Sequence, residues 1–467
     1  MEGKKTVVVV GAGVSGLAFA HHLQELAQAE NRSVEIFVLE ASSDAGGVVQ
    51  TQRREGFLLE NGPDSFLSEE PAMMELCQRL GLESELIHTE REHRGTLVVH
   101  RGKLEALPIG FYLIAPKNIP AFLASPLFSP QGKVRMLAES FVPRAKVEDE
   151  SVASFIRRRF GAEALERVGQ PMIAGVYSGD PEELSMHSTM RRFAEAEEKS
   201  GSVLRGLAVP QSAQGVRYGL FLSFKNGMQT LTDALEKKLP AKTVRRGFRV
   251  KSISRGTDGC WAVLSEKGEV FSADVVCLAV PARTSAPWVK GLSSGLSDAL
   301  EQISYQSVAT LNLAFDAKNI QHRLNGFGFV VPRTEKKSLM ACTFVHRKFA
   351  GRAPKGKALL RVFVGGAFGK DVFAMPDGKL EEAVMNDLTP LLGLRKKPLF
   401  ASLMRYTQSL PQYRVGHARL LKRIAFEEAD LPGLYLTGSS YRGTGIPDCV
   451  RDAEAQAQRA WRSLNNV

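Results

Sequence analysis

Four consecutive valines, Val7 to Val10, lead directly into Gly11-Ala12-Gly13-Val14-Ser15-Gly16, and the next apolar strand, Val34 to Leu39, ends on Glu40. Strand, glycine turn, helix, strand and acid in that order commit the region to a dinucleotide-binding βαβ unit. Each position has a physical task. Gly11 allows the tight turn, Gly13 lets the backbone approach a pyrophosphate, and Gly16 lets the helix predicted over Leu17 to Leu26 lie close to its strand. The helix N-terminus supplies N–H donors for phosphate. Glu40 offers acceptors to two ribose hydroxyls and would repel a 2′-phosphate, which disfavours NADP and leaves FAD or NAD.

A second glycine-rich segment, Ala45-Gly46-Gly47-Val48-Val49-Gln50-Thr51, follows at once, and then Gly56 to Ser65. A glycine turn directly after the ribose-binding strand suits a cofactor that continues past its pyrophosphate, so FAD is expected over NAD. The segment resembles the flavin-binding region of the amine oxidase-like flavoproteins. Joined to Gly175-Val176-Tyr177-Ser178-Gly179-Asp180, Pro411 to His417 and the closing Gly438 to Cys449, it is similar, nearly end to end, to the oxygen-dependent protoporphyrinogen and coproporphyrinogen oxidases.

That resemblance implies non-covalent FAD held by Gly11, Ala12, Gly13, Val14, Ser15, Gly16, Glu40, Gly47, Val48, Gly62, Pro63, Asp64, Ser65, Val250, Thr444, Gly445 and Ile446. Val250 enters only through the resemblance, since an apolar side chain in a strand is otherwise core. The resemblance also implies that Gly175 presents its carbonyl to pyrrole N–H groups and that Phe327, Val330 and Phe349 flank a flat macrocycle. Two positions depart from the pattern. Thr96 stands where many relatives carry an Arg that meets a propionate, with Arg94 two residues earlier on the same expected strand face, and Asp44 stands where an Arg commonly precedes the double glycine. The implied activity is oxidation of protoporphyrinogen IX to protoporphyrin IX by oxygen in haem biosynthesis, with coproporphyrinogen III as the alternative substrate. No catalytic side chain is required, because a flavin accepts hydride without a protein nucleophile. An amine oxidase with Tyr413 and Tyr441 as an aromatic pair, a carotenoid desaturase, and a flavin-binding interaction protein without turnover are the more distant alternatives.

The rest of the chain bounds the reading. The net charge is +11, from 61 Lys and Arg against 50 Asp and Glu. The basic clusters Arg157-Arg158-Arg159, Arg245-Arg246 and Arg395-Lys396-Lys397 are short, scattered and without recurring aromatics, which argues against nucleic acid. The 5 cysteines form no C-x-x-C pair, so disulfides and a metal site are not expected. The first strand begins too early for a secretory signal, and no apolar run is long enough to span a bilayer, so a cytoplasmic protein is expected. Phe111 to Ile114, Ile119 to Leu123 and Leu127-Phe128, close to Lys133, Arg135 and Arg144, either pack a helical core or insert shallowly into an anionic leaflet.

The expected class is α/β: a Rossmann-like FAD domain assembled from separated pieces, a mixed-sheet substrate domain and a helical subdomain. The FAD domain takes 1–85, 221–290 and 405–467. The alternating patterns Thr310 to Phe315 and Leu359 to Val364 mark a sheet with one wet face within 86–104 and 291–404. Residues 105–220, with helices over Val152 to Phe160 and Ala162 to Val168, form the helical, membrane-associated or simply packed subdomain.

Overall fold

The computed structural model describes residues 5–145, 147–207 and 221–465. The uninterrupted apolar runs 7–10 and 275–278 must bury both faces, and they do so at the centre of a five-stranded parallel sheet ordered Val244–Arg245, Val34–Leu39, Lys5–Val10, Val275–Leu278, Leu434–Leu436. Val7, Val9, Val275 and Cys277 pack on a helical layer formed by Val14–Ala29, Gln229–Lys238 and Ile446–Asn465. Val8, Val10, Val276 and Leu278 face the other way, onto the antiparallel strands Val250–Arg255, Trp261–Ser265 and Val270–Ala273 and the helices Ala282–Val289, Ser294–Glu301 and His417–Ala429. From Lys5–Val10 the chain adds strands toward one edge and later crosses to the other side at Val275–Leu278, so the switch point where an α/β sheet opens a ligand crevice lies at the end of the opening strand. The first helix starts at Val14, ahead of the predicted Leu17, because the Gly13 carbonyl already accepts the Leu17 N–H at 3.0 Å.

A second, seven-stranded mixed sheet is ordered Phe400–Gln412, Ser304–Asp316, Lys357–Gly365, Ala341–Phe344, Gly328–Val330, Thr96–His100, Lys103–Ala106. Neighbours are antiparallel except Gly328–Val330 with Thr96–His100. The pleat sends Leu311, Leu313, Leu360, Val362, Cys342, Phe329 and Val99 to one side, where the helix Asp377–Leu392 covers them. The other side turns toward the helical region and the first domain.

Element positions revise the expected boundaries. The division at 404/405 falls inside one continuous strand, Phe400–Gln412. Residues 294–301 form a helix on the parallel-sheet core instead of joining the large sheet, and Leu86–His88 pairs with Phe221–Phe224 in a small separate sheet. The segment 208–220, expected to end the helical region, lies outside the described residues. Within that region Val152–Phe160 is helical as expected, while 162–168 is one α-helical turn, Ala162–Ala164, that widens into a π turn at Leu165–Gly169.

Most of the aromatic side chains considered for membrane insertion are core. Phe111, Phe122 and Phe128 are buried against one another, with the Phe111 and Phe128 rings stacked at 5.8 Å. The apolar side chains actually exposed there are Ile109, Ile119, Leu123, Val134 and Phe141. No helix among the described residues is long and apolar enough to cross a membrane.

Glu60 ties the pieces together. It lies at the end of the strand Phe57–Glu60, buried, with its carboxylate accepting the Met228 N–H at 2.8 Å and the Thr51 hydroxyl at 2.8 Å. Burial outweighs these bonds and pushes its carboxyl up to about 7. A folded-state value above the ordinary 4.5 means that the unfolded chain releases the proton first. This contribution to stability is therefore complete below about pH 4.5 and is lost as pH rises through about 7. We expect Glu60→Gln to flatten the pH dependence of the melting temperature between pH 5 and pH 8. An unchanged difference between parent and variant across that range would contradict the assignment.

Candidate functional site

The backbone at the switch point is shaped by glycines with different jobs. Gly11 turns at φ +102°, and a Cβ there would lie 2.7 Å from the Ala279 carbonyl. A Cβ on Gly16 would lie 1.9 Å from the Gly11 carbonyl, so this glycine lets the helix sit on the turn. Gly13 is unlike both, since a Cβ built on it meets no atom within 4 Å, and one on Gly47 meets only Gly13 Cα, at 3.3 Å. The two glycine turns thus face each other. They are joined by a bridge between Gly13 and Gly46, with the Gly46 N–H donating to Ala12 at 2.8 Å. Gly62 closes against the second turn, where a Cβ would come 1.7 Å from the Val48 carbonyl.

The donor and acceptor set fits a flavin dinucleotide. The first helix has no side-chain cap and no acid in its first turn, which leaves its N-terminal amides to an anion. Glu40 accepts the Ala12 N–H on one oxygen and the Ser42 N–H on the other, both at 2.8 Å. Each oxygen keeps a lone pair for a hydroxyl. Asp44 is exposed and bonded to Ser43, away from this set. Val250 contributes its side chain to the core beneath, while the neighbouring Phe248 N–H bonds the Glu40 carbonyl at 2.8 Å.

The closing segment reaches the same place. Ile446 and Val450 share a core with Val14 and Leu17, and a Cβ on Gly438 would stand 3.9 Å from Ser15 Oγ. The long helix begins at Ile446, so Thr444 and Gly445 precede its N-terminus, and Asp448 lies in its first turn, bonded to Arg451 at 2.6 Å. Tyr413 braces the turn: its hydroxyl accepts the Gly443 N–H at 2.8 Å and donates to the Ser439 carbonyl at 2.6 Å, and its ring stacks on His417 at 4.1 Å. Burial raises the Tyr413 hydroxyl and lowers the His417 imidazole, so both stay neutral near pH 7. Tyr441 is fully buried. Tyr413 and Tyr441 therefore support the turn and do not form the aromatic pair an amine oxidase would need. Tyr177 likewise has a structural bond, from its hydroxyl to the Thr189 carbonyl at 2.7 Å.

The expected substrate residues divide. One face of the large sheet, read across its register, carries Thr96, Val98, Val330, Ala341 and Phe363. Gly175, in the helix Gln170–Tyr177, comes to this face, with Val330 Cγ1 3.6 Å and Ala341 Cβ 3.9 Å from a Cβ built on it. Val330 and Gly175 are thus brought together. Phe349 is not available to a ligand in this conformation: it is 0% exposed, with the Lys348 ammonium 5.2 Å and the Arg352 guanidinium 5.7 Å from its ring centre. Phe327 is buried just before Gly328–Val330, its N–H bonded to the Gly95 carbonyl at 2.9 Å. Arg94 lies in a loop and not on the strand of Thr96, because Gly95 takes a positive φ before that strand begins. Its Nε is buried with no hydrogen-bond partner.

Several site residues carried no motif. Asp64 and Ser65 direct their side chains to Lys348, whose ammonium lies 2.9 Å from both Asp64 oxygens and 3.1 Å from Ser65 Oγ. Burial would raise the Asp64 carboxyl, but Lys348 and Arg361 draw it well below the usual range. Thr310, Asn312 and Arg361 hold the carbonyls of Glu60, Asn61 and Gly62 from the same sheet face. Their signal in the sequence is polar side chains at alternate positions of otherwise apolar strands.

Comparison with known proteins agrees with this geometry. Residues 14–460 match the family described as flavin containing amine oxidoreductase. The chain is 32% identical to the coproporphyrinogen III oxidase of Bacillus subtilis (strain 168), over 98% of each chain. It is 29% identical to the chloroplastic protoporphyrinogen oxidase of Nicotiana tabacum, over 96% of this chain and 83% of that one. A solved structure from Exiguobacterium sp. 255-15, described as a protoporphyrinogen oxidase, matches with a TM-score of 0.87 and 29% identity over 100% of both chains. With two facing glycine turns, Glu40 at the strand end and a closing helix in place, the chain belongs to the flavin-containing amine oxidoreductase family and is an FAD-dependent oxidoreductase.

Proposed function

We propose that this protein oxidises a porphyrinogen to a porphyrin with oxygen as the final acceptor. The observation that supports this most is the single face of the large sheet, apolar beside Gly175 at Val330, Ala341 and Phe363 and polar where it grips the loop Glu60 to Gly62. A flat apolar macrocycle on that face lies beside the flavin cradle. FAD supplies hydride acceptance, so the chain's own part is to bind, orient and keep water away. No group of His, Cys, Asp and Glu among the described residues could hold a metal ion.

Protoporphyrinogen IX is the first reading of the substrate. Coproporphyrinogen III is the second, favoured by the Bacillus subtilis relative and by a Staphylococcus aureus coproporphyrinogen III oxidase 30% identical over 98% of this chain. Arg94, with its unpartnered Nε, is our candidate for a propionate. Anaerobic mixing of the yellow protein with each porphyrinogen and with amines separates these readings. A porphyrinogen should bleach the flavin and an amine should not, and Arg94→Ala should raise KM more than it lowers kcat. Bleaching by amines alone would overturn the proposal, and a clear preference for coproporphyrinogen would replace the first substrate by the second.

A larger side chain at Gly175 would press on Val330 and Ala341 and fill the space beside the sheet. We expect Gly175→Leu to retain bound flavin and to lose porphyrinogen turnover. Normal turnover in a folded, yellow variant would place the substrate elsewhere.

A further inference from the structure

Three consecutive carbonyls in the loop that backs the second glycine turn are each held by a side chain from the large sheet. Asn312 Nδ2 donates to the Glu60 carbonyl at 3.3 Å, Thr310 Oγ1 to the Asn61 carbonyl at 2.8 Å, and the Arg361 guanidinium to the Gly62 carbonyl. The donors are 0%, 5% and 3% exposed in that order, too buried for direct contact with a ligand. The pleat sets their positions: Thr310 and Asn312 alternate on one strand, and Arg361 lies directly across from Asn312 on the next.

Both ends of this contact pack against further groups. The Arg361 guanidinium lies 4.8 Å from the centre of the Phe363 ring, and Phe363 shares the sheet face with Ala341 and Val330. On the loop side, Gly62 is pressed to the Val48 carbonyl, and Lys348 fixes Asp64 two residues on. A hydrogen bond has little tolerance in length. The three bonds therefore hold the loop at one height above the sheet.

We infer that Thr310, Asn312 and Arg361 are positioning residues that set the spacing between the substrate face and the flavin, an inference that rests on the function proposed above. Transfer between a bound donor and acceptor falls steeply when either is displaced. Loosening the clamp should therefore slow flavin reduction far more than it weakens substrate binding.

The test uses the FAD-loaded protein with Thr310→Val, Thr310→Ser and, as a second route that keeps the charge, Arg361→Lys. Thr310→Val and Arg361→Lys should remain yellow, change the visible circular dichroism of the bound flavin, and slow anaerobic reduction by porphyrinogen on the order of tenfold or more with KM within about twofold. Thr310→Ser should restore both readouts, and reoxidation by oxygen should match the parent throughout. Reduction rates within about twofold of the parent in both Thr310→Val and Arg361→Lys would overturn the inference. If no porphyrinogen reduces even the parent flavin, the functional reading fails, and the dichroism then decides the clamp alone: unchanged spectra in both variants would overturn it.

Discussion

The stretch from Glu60 to Ser65 is gripped from three sides, and the site takes its shape from that grip. The Glu60 carboxylate holds Met228 and Thr51, which fastens the second glycine turn to the start of the helix Gln229–Lys238. The large sheet holds the next three carbonyls, and Lys348 holds Asp64. Ser223 also donates to the Asp64 carbonyl, at 2.8 Å. A buried ion pair such as Asp64 with Lys348 adds little net stability once desolvation is counted. Its effect is directional: Lys348 ties the loop at Asp64 to the segment that follows the strand Ala341–Phe344, with Arg361 close to the same carboxylate.

The parallel sheet has the same dependence on distant pieces. Its strands come from residues 5–39, 244–278 and 434–436, so no stretch of chain completes it alone. The helix Ile446–Asn465 packs on the first helix and brings the closing glycine turn to the end of the opening strand. Most of the core contact there is aliphatic, and burial at about 25 cal/mol per Å² makes it the main stabilising contribution. The polar clamps add direction: they determine which surfaces meet, while the apolar layers determine that they meet.

Much of the dinucleotide half was legible in the sequence. Val7 to Val10, the glycines at 11, 13 and 16, and Glu40 carry their physical reasons locally, and the strand Val34–Leu39 lies where its pattern put it. The substrate half was less legible, because its contacts join residues far apart in the chain. Phe349, which the resemblance sets beside a macrocycle, is buried with two cations near its ring. Arg94 is aligned with Thr96 by spacing alone, and the positive φ of Gly95 breaks that alignment. The strand Phe400–Gln412 outlasts its apolar pattern because Val308 to Ser304 supply pairing partners along its polar half. Thr310, Asn312 and Arg361 become meaningful only when the Glu60 to Gly62 carbonyls are seen opposite them.

The central claim is that four separated segments form one cradle for one cofactor. Hydrogen–deuterium exchange with and without FAD addresses it at the level of the backbone. The account predicts simultaneous slowing of exchange in 11–16, 45–49, 62–65 and 443–446 as FAD is added, at a single apparent affinity. Protection confined to 11–16, with the other three segments unchanged at saturating FAD, would contradict it.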